Sequence, residues 1–259
     1  LMATRPDAKL AVVTGASRGI GAAIAEVLAA DGYQVALLAR GAEALERLEK
    51  KLTAAGARTR SFLCDVADEA AVNATLASVE THLGTPGVIV NNSGIGGPFH
   101  RVDEVSREEW DSLFAVNVDG VRHFCRWALP RMKAGGYGRI VNIASIQALF
   151  GGARSSTYAA TKHAVIGFSR TIAAEWGAYG ITCNAVCPGY IDTEMLANAD
   201  SAARTELLRR IPVGRFGTPE EVARLVAFIV GPHGGYLNGS ALVMDGGLSS
   251  HLANDVPSF

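Results

Sequence analysis

KLAVVTGASRGIG, Lys9 to Gly21, is the stretch from which the fold is read. Lys9 to Thr14 is an apolar run that predicts a buried strand, and Ile24, Val27 and Leu28 have the spacing of a helix that follows the glycines. Gly15, Gly19 and Gly21 stand at G-x-x-x-G-x-G, not at the G-x-G-x-x-G of the usual dinucleotide fingerprint. The physical demand is the same in both spacings. A residue without Cβ lets the backbone turn sharply and approach a pyrophosphate, whose charge is favoured at a helix amino terminus.

Outward from this unit the pattern repeats. Val35 to Ala39, Thr59 to Cys64, Gly87 to the turn at Gly94, Ile140 to Ala144, Ile181 to Cys187 and Ala241 to Met244 read as strands. Glu43–Ala55, Ala70–His82, Trp110–Met132, the segment around Tyr158 and the segment from Pro219 read as helices between them. Strand, helix, strand almost throughout predicts an α/β fold: a single-domain, Rossmann-like, doubly wound parallel sheet of about seven strands with helices on both faces. No Pro/Gly/Ser linker, charge block or repeat divides residues 1–259. Between two of the strands, residues 194–212 are long enough to be a substrate loop or lid, and the tail 248–259 carries no usable pattern.

Hydrophobic residues make up 49% and charged ones 19%, which suits strands buried on both faces. With 24 basic and 25 acidic residues the net charge is −1, so the overall balance points to neither nucleic acid nor an anionic membrane. Cys64, Cys125, Cys183 and Cys187 lack Cys-x-x-Cys spacing and read as small core residues; no His pattern suggests a metal site. The amino terminus lacks a signal-peptide layout and no apolar run approaches ~20 residues. The expectation is a soluble, cytoplasmic protein with reduced thiols.

The chemistry concentrates in GRIVNIAS and YAATK. The first is a strand ending at Ser145, at a sheet edge; the second places Tyr158 and Lys162 one helical turn apart on one face. A phenol has an ordinary pKa of about 10, and a neighbouring cation lowers it. The pair is therefore expected to let Tyr158 exchange a proton near neutrality, although Tyr-x-x-x-Lys by itself also describes two ordinary helix-surface residues.

Ser145, Tyr158-x-x-x-Lys162, TGASRGIG and Asn91-Asn-Ser-Gly94 together resemble the short-chain dehydrogenase/reductase family over residues 8–247, with Ser93 where alanine is usual. The resemblance implies reversible hydride transfer between a nicotinamide and a carbonyl carbon. Ser145 would hydrogen-bond the carbonyl oxygen, Tyr158 would protonate it, and Lys162 would lower the tyrosine pKa and hold the nicotinamide ribose. Asn117 would distort its helix and complete a proton relay through water. For the cofactor it implies Gly15, Ser17, Arg18, Gly19, Ile20 and Gly21 at the pyrophosphate turn and Asp65-Val66 beside adenine. Asn91, Ser93 and Gly94 would follow on the next strand, then Pro188 and Gly189 where the sixth strand breaks, with Ile191 at the nicotinamide carboxamide and Thr193 near the pyrophosphate. Ala39 stands where NAD-using members carry Asp, and Arg40 follows it, so NADP(H) is expected, with Arg18 as a second guanidinium. Gly87 replaces a usual acid, without a reason visible in the sequence.

GRIVNIAS, NAVCPGYIDT and IPVGRFGTPEEVA most resemble 3-oxoacyl carrier-protein reductases and bacterial polyketide ketoreductases. Gly94-Ile-Gly-Gly97 resembles the glycine turn of the latter without its proline. The partner is then a ketone, free or carrier-bound, and an acyl carrier protein would dock on Arg126, Arg131, Lys133, Arg204, Arg209 and Arg210. Two alternatives stay open: a reductase or dehydrogenase of free ketones, alcohols, sugars or steroids, and a non-catalytic NADP-binding regulator. By resemblance a homotetramer is expected, through helices at 110–132 and 158–178 and the last strand.

Overall fold

A computed structural model describes residues 7–197 and 201–250. The chain runs β1 (Asp7–Thr14), α1 (Gly19–Ala30), β2 (Gln34–Ala39), α2 (Ala42–Ala54), β3 (Thr59–Leu63), α3 (Glu69–Leu83) and β4 (Pro86–Asn91). It continues through α4 (Arg107–Phe114), a π-helical turn (Ala115–Asp119), α5 (Gly120–Gly135), β5 (Gly138–Ile143) and α6 (Ser156–Trp176). The last part holds β6 (Ile181–Pro188), α7 (Glu194–Ala197), α8 (Ser201–Arg209), α9 (Pro219–Val230) and β7 (Ala241–Met244). All seven strands lie in one parallel sheet, in the order β3-β2-β1-β4-β5-β6-β7. The order reverses between β1 and β4. Beyond the carboxyl ends of these two strands lies the crevice where such sheets bind ligands, and the glycine turn, Asn92 and Ser145 all fall along that edge.

Alternate strand residues feed two cores. Val13, Val35, Leu37 and Val90 pack with Ile24, Leu28, Leu45 and Val226 on the face covered by α1, α2 and α9. Val12, Leu38, Ile89 and Ile140 pack with Leu76, Phe124 and Val165 on the face covered by α3, α5 and α6. Helix starts are locally encoded: Asp68 caps α3 by accepting from Ala70 and Ala71, and Ser106–Glu109 and Thr218–Glu221 form capping boxes on α4 and α9.

β6 departs from its apparent alternation, because all eight of its residues are buried. Asn184 is accommodated by donating to the Leu237 carbonyl (2.8 Å) and accepting from the Ser240 N–H (3.1 Å), so the chain leading into β7 supplies its partners. The helix expected over Trp110–Met132 is also not continuous; the π-helical turn divides it at Asn117. The expected lid contains α7 and α8, with residues 198–200, like the tail 251–259, outside the described residues. Among the described residues no helix is long and apolar enough to cross a membrane.

Gly87 has a reason that only the folded chain supplies. A Cβ on it would lie 2.5 Å from the Asp7 carbonyl oxygen, at the place where the β1–β4 register shifts. The obstacle is backbone, so relief requires moving a central strand. Gly87→Ala is expected to destabilise the protein by about 1–3 kcal/mol, read as a lower urea midpoint with an unchanged slope; an unchanged midpoint would show that β1 yields freely.

Candidate active site

The glycine turn closes tightly on itself. Gly15 and Gly19 have φ of 64° and 54°, and a Cβ on Gly21 would stand 2.2 Å from the Gly15 carbonyl oxygen and 2.5 Å from Asn92 Nδ2. Arg18, at the head of α1, is extended and makes no side-chain cap, which leaves the first N–H groups of the helix for a ligand. The cradle therefore fits a pyrophosphate.

Two residues passed over in the sequence hold this turn. The Thr14 hydroxyl oxygen accepts from the Asn92 and Ser93 N–H groups, both at 2.9 Å, and Asn92 Nδ2 donates to the carbonyls of Thr14 (2.9 Å) and Gly15 (3.3 Å). The available signal was a short hydrogen-bonding residue at the end of each of the two strands that flank the reversal in strand order.

Around the rim, Asp65 is exposed and accepts from the Ala67 N–H, while Val66 is buried. Ser17 and Ile20 are half-buried within the turn. Gly189 follows Pro188 against β7, where a Cβ would lie 2.8 Å from Asp245 Cβ. Ile191 bridges to Gly217, and the Thr193 methyl lies 3.4 Å from where a Cβ on Gly19 would stand. Arg40 is exposed just past β2 and, among the described residues, makes no hydrogen bond or ion pair; Arg18 is paired with Glu194 at 3.1 Å. The Asn91 side chain is held within the sheet. Its Nδ2 donates to Asn142 Oδ1 (2.8 Å), whose own Nδ2 donates to Ser169 Oγ (2.8 Å), so the side chain ties β4 to β5 and α6 inside the core. Any cofactor contact from this residue would fall to its main chain.

Ser145, Tyr158, Lys162 and Asn117 come together. The Tyr158 phenol faces the Ser145 side chain, which draws its pKa downward, and Ser145 Oγ accepts from the Gln147 N–H at 3.1 Å. Lys162 Nζ lies 5.5 Å from the centre of the tyrosine ring and donates to the Ile143 carbonyl at 2.9 Å. Gly94 fills the remaining gap: a Cβ on it would be 3.3 Å from Asn117 Oδ1 and 3.4 Å from Lys162 Nζ. The π-helical turn carries Asn117 inward, where Oδ1 accepts from the Ile95 N–H (2.9 Å) and Nδ2 donates to the Ile95 carbonyl (2.9 Å) and Thr161 Oγ1 (3.2 Å). A π bulge commonly marks a functional site. Here the turn coincides with the asparagine, which pins the loop after β4 through Ile95.

The electrostatics correct the expectation for Tyr158. Burial pushes its phenol above the ordinary value, with the Ser145 side chain pulling the other way, and the lysine does not reverse this. Lys162 is itself lowered to about 8 by burial. Its ammonium sits beside the ring and is committed to Ile143, so desolvation outweighs attraction. Cys187, packed against Lys162 and the Ser145 backbone, is pushed up to about 11 by burial and stays a neutral thiol.

The chain as a whole is similar to known proteins. The family described as Enoyl-(Acyl carrier protein) reductase, one of the short-chain dehydrogenase/reductases, matches residues 15–249. The 3-oxoacyl-[acyl-carrier-protein] reductase FabG of Pseudomonas aeruginosa is 38% identical over 240 residues, covering 93% of this chain and 97% of the relative. D-threitol dehydrogenase of Mycolicibacterium smegmatis is 38% identical over 244 residues, 94% of each chain. A variant of actinorhodin polyketide ketoreductase, solved with NADPH, superposes with a TM-score of 0.90 at 34% identity, covering 95% of this chain and 100% of that one. A serine just past the end of β5 facing a tyrosine, a lysine one turn further along α6 and a glycine cradle at the β1 edge are thus carried on a chain that belongs to the short-chain dehydrogenase/reductase family and is an oxidoreductase.

Proposed function

We propose that this oxidoreductase reduces a ketone to a secondary alcohol with NADPH, Tyr158 giving the proton. The observation that carries the reading is Lys162 beside the Tyr158 ring, with Ser145 facing the phenol and Lys162 and Asn117 buried behind Gly94, at the ends of β4 and β5. When bound, the nicotinamide supplies the hydride. Ser145 donates a hydrogen bond to the substrate oxygen, and Tyr158 releases its proton to that oxygen as negative charge develops there. A raised phenol pKa keeps Tyr158 protonated at neutral pH, the form a donor requires. Lys162 places a positive charge beside the ring below pH of about 8, and Asn117 holds the loop at Ile95. The test is consumption of NADPH by the purified protein with a panel of ketones; no consumption above background with any of them would end this reading.

NADPH is favoured by the free Arg40 guanidinium and by Ala39 in place of a carboxylate. Glu194 competes with a 2′-phosphate for Arg18. Glu194→Gln is therefore expected to lower KM for NADPH by about two- to fivefold, the size of an exposed ion pair, without a matching change for NADH. Equal changes for both would remove Arg18 from phosphate recognition.

A carrier-bound 3-oxoacyl thioester draws its support from the reductase and polyketide relatives. A specific observation favours the second reading, a free carbonyl compound, which agrees with the D-threitol dehydrogenase likeness. Three of the six cations expected to dock a carrier are paired with a carboxylate of the chain: Arg126 with Glu69 (2.8 Å), which Arg122 also approaches at 3.6 Å, Arg131 with Glu80 (3.3 Å) and Arg204 with Asp192 (3.1 Å). Arg209 and Arg210 share Glu206, and Lys133 lies over the Tyr179 ring. A homotetramer is proposed alongside. It is supported by Phe228, Tyr236 and Val243, apolar side chains left exposed on α9, on the chain leading into β7 and on β7 itself.

A further inference from the structure

Beside Tyr158 lies a small, solvent-open hollow of about 10 Å³ that the reaction as described does not use; His100, Glu109, Arg154, Ser156 and Thr157 contribute to its wall. Its polar groups are not satisfied from within the protein. Thr157 is only 6% exposed, and its Oγ1, like Ser156 Oγ, is buried with no hydrogen-bond partner. Buried hydroxyls are seldom left so unless something else completes them. Ser155 heads α6 but does not cap it, donating instead to Gln147 Oε1 (2.8 Å) and the Gly152 carbonyl (3.0 Å). The leading N–H groups of that long helix are left for an anion. Arg154 is exposed and, among the described residues, its guanidinium has no ion pair; it is also the non-glycine residue held at positive φ (63°). The carboxylate in the wall, Glu109, is engaged elsewhere, accepting from the Ser106 N–H (3.1 Å) and meeting His100 Nδ1 at 3.2 Å.

We propose that this hollow receives a carboxylate carried by the substrate a few bonds from its carbonyl, bound by Arg154, the hydroxyls of Ser156 and Thr157 and the amino terminus of α6. The substrate class is then a short free oxo acid, or the matching hydroxy acid in the reverse direction. The inference rests on the reading of Tyr158 as proton donor to a ketone, and it selects among substrates of that site. A phosphate on a carrier arm does not fit the same position, because it lies the length of the arm from the reacting carbonyl while this hollow includes Tyr158 itself.

The experiment compares kcat/KM for acetoacetate and 4-oxopentanoate with that for their methyl esters, using NADPH and the full chain, for the parent and for Arg154→Gln. The parent is expected to favour the acids by at least about tenfold, and Arg154→Gln to cut the acid-to-ester ratio by about 10- to 100-fold, the range of a charge-assisted hydrogen-bonded pair, mainly through KM. Arg154→Gly, which suits the positive φ, should give the same loss of ratio and guards against misfolding. Esters or thioesters reduced as well as acids, or a ratio that Arg154→Gln leaves intact, would overturn the inference while leaving the ketone-reductase reading standing. No reduction of any carbonyl, acid or ester, would overturn that reading and the inference with it.

Discussion

Tyr158→Phe is expected to lower turnover by about 10²- to 10⁴-fold, the range for losing a positioned general acid, while NADPH binding stays within about twofold. The substitution is conservative in every respect except the one that matters. The ring keeps its place against Lys162, 5.5 Å from the ammonium, and only the hydroxyl facing Ser145 is lost. Phe has no proton to give to the developing alkoxide. The measurement pairs kcat with the nucleotide dissociation constant, from quenching of protein fluorescence. Turnover within about tenfold of the parent would remove Tyr158 from the chemistry, and an equal loss of nucleotide binding would mean that the change had disturbed the fold of the site.

Lys162→Met is expected to move activity and stability in opposite directions. Turnover should fall by about 10²-fold or more through loss of the cation beside Tyr158. Stability should rise, because Lys162 is 5% exposed and its pKa is lowered from 10.5 to about 8 by burial. That difference corresponds to about 3 kcal/mol of cost for holding the charged form in the folded protein. Losing the donor to the Ile143 carbonyl returns about 1 kcal/mol of this, leaving a net gain of about 2 kcal/mol. The sign follows from proton binding. Between pH of about 8 and 10.5 the unfolded chain holds a proton on this lysine that the folded chain has released, so parent stability climbs with pH across that window. The cost is full below the window and gone above it. The advantage of Lys162→Met should therefore be greatest at pH 7, disappear within the window and give way to a deficit of about 1 kcal/mol above pH of about 10.5, as read by thermal unfolding without nucleotide. A variant less stable than the parent at pH 7 would show that the buried ammonium is already compensated.

What the linear chain determined about this protein is what near neighbours determine. The seven strands and the helices between them follow from apolar runs and spacings within a dozen residues, and the observed bounds fall close to those read from KLAVVT, GRIVNIAS and ALVM. The glycine cradle and the Tyr158–Lys162 pair were legible for the same reason, since a turn or one helical repeat places those groups without help from the rest of the chain. Everything that depends on a distant segment was decided by the tertiary structure. Gly87 is required by Asp7, and Arg18 meets Glu194 only because the segment after β6 reaches the glycine turn. The side chain of Asn91 turns inward because Asn142 lies beside it in the neighbouring strand. Arg126 and Arg131 look free in the sequence and are answered by Glu69 and Glu80 on α3. The pKa of Tyr158 makes the point most sharply. Spacing puts a cation one turn away and argues for a lower value, but burial acts through every atom packed around the phenol, and no local pattern of residues encodes how many of those there will be.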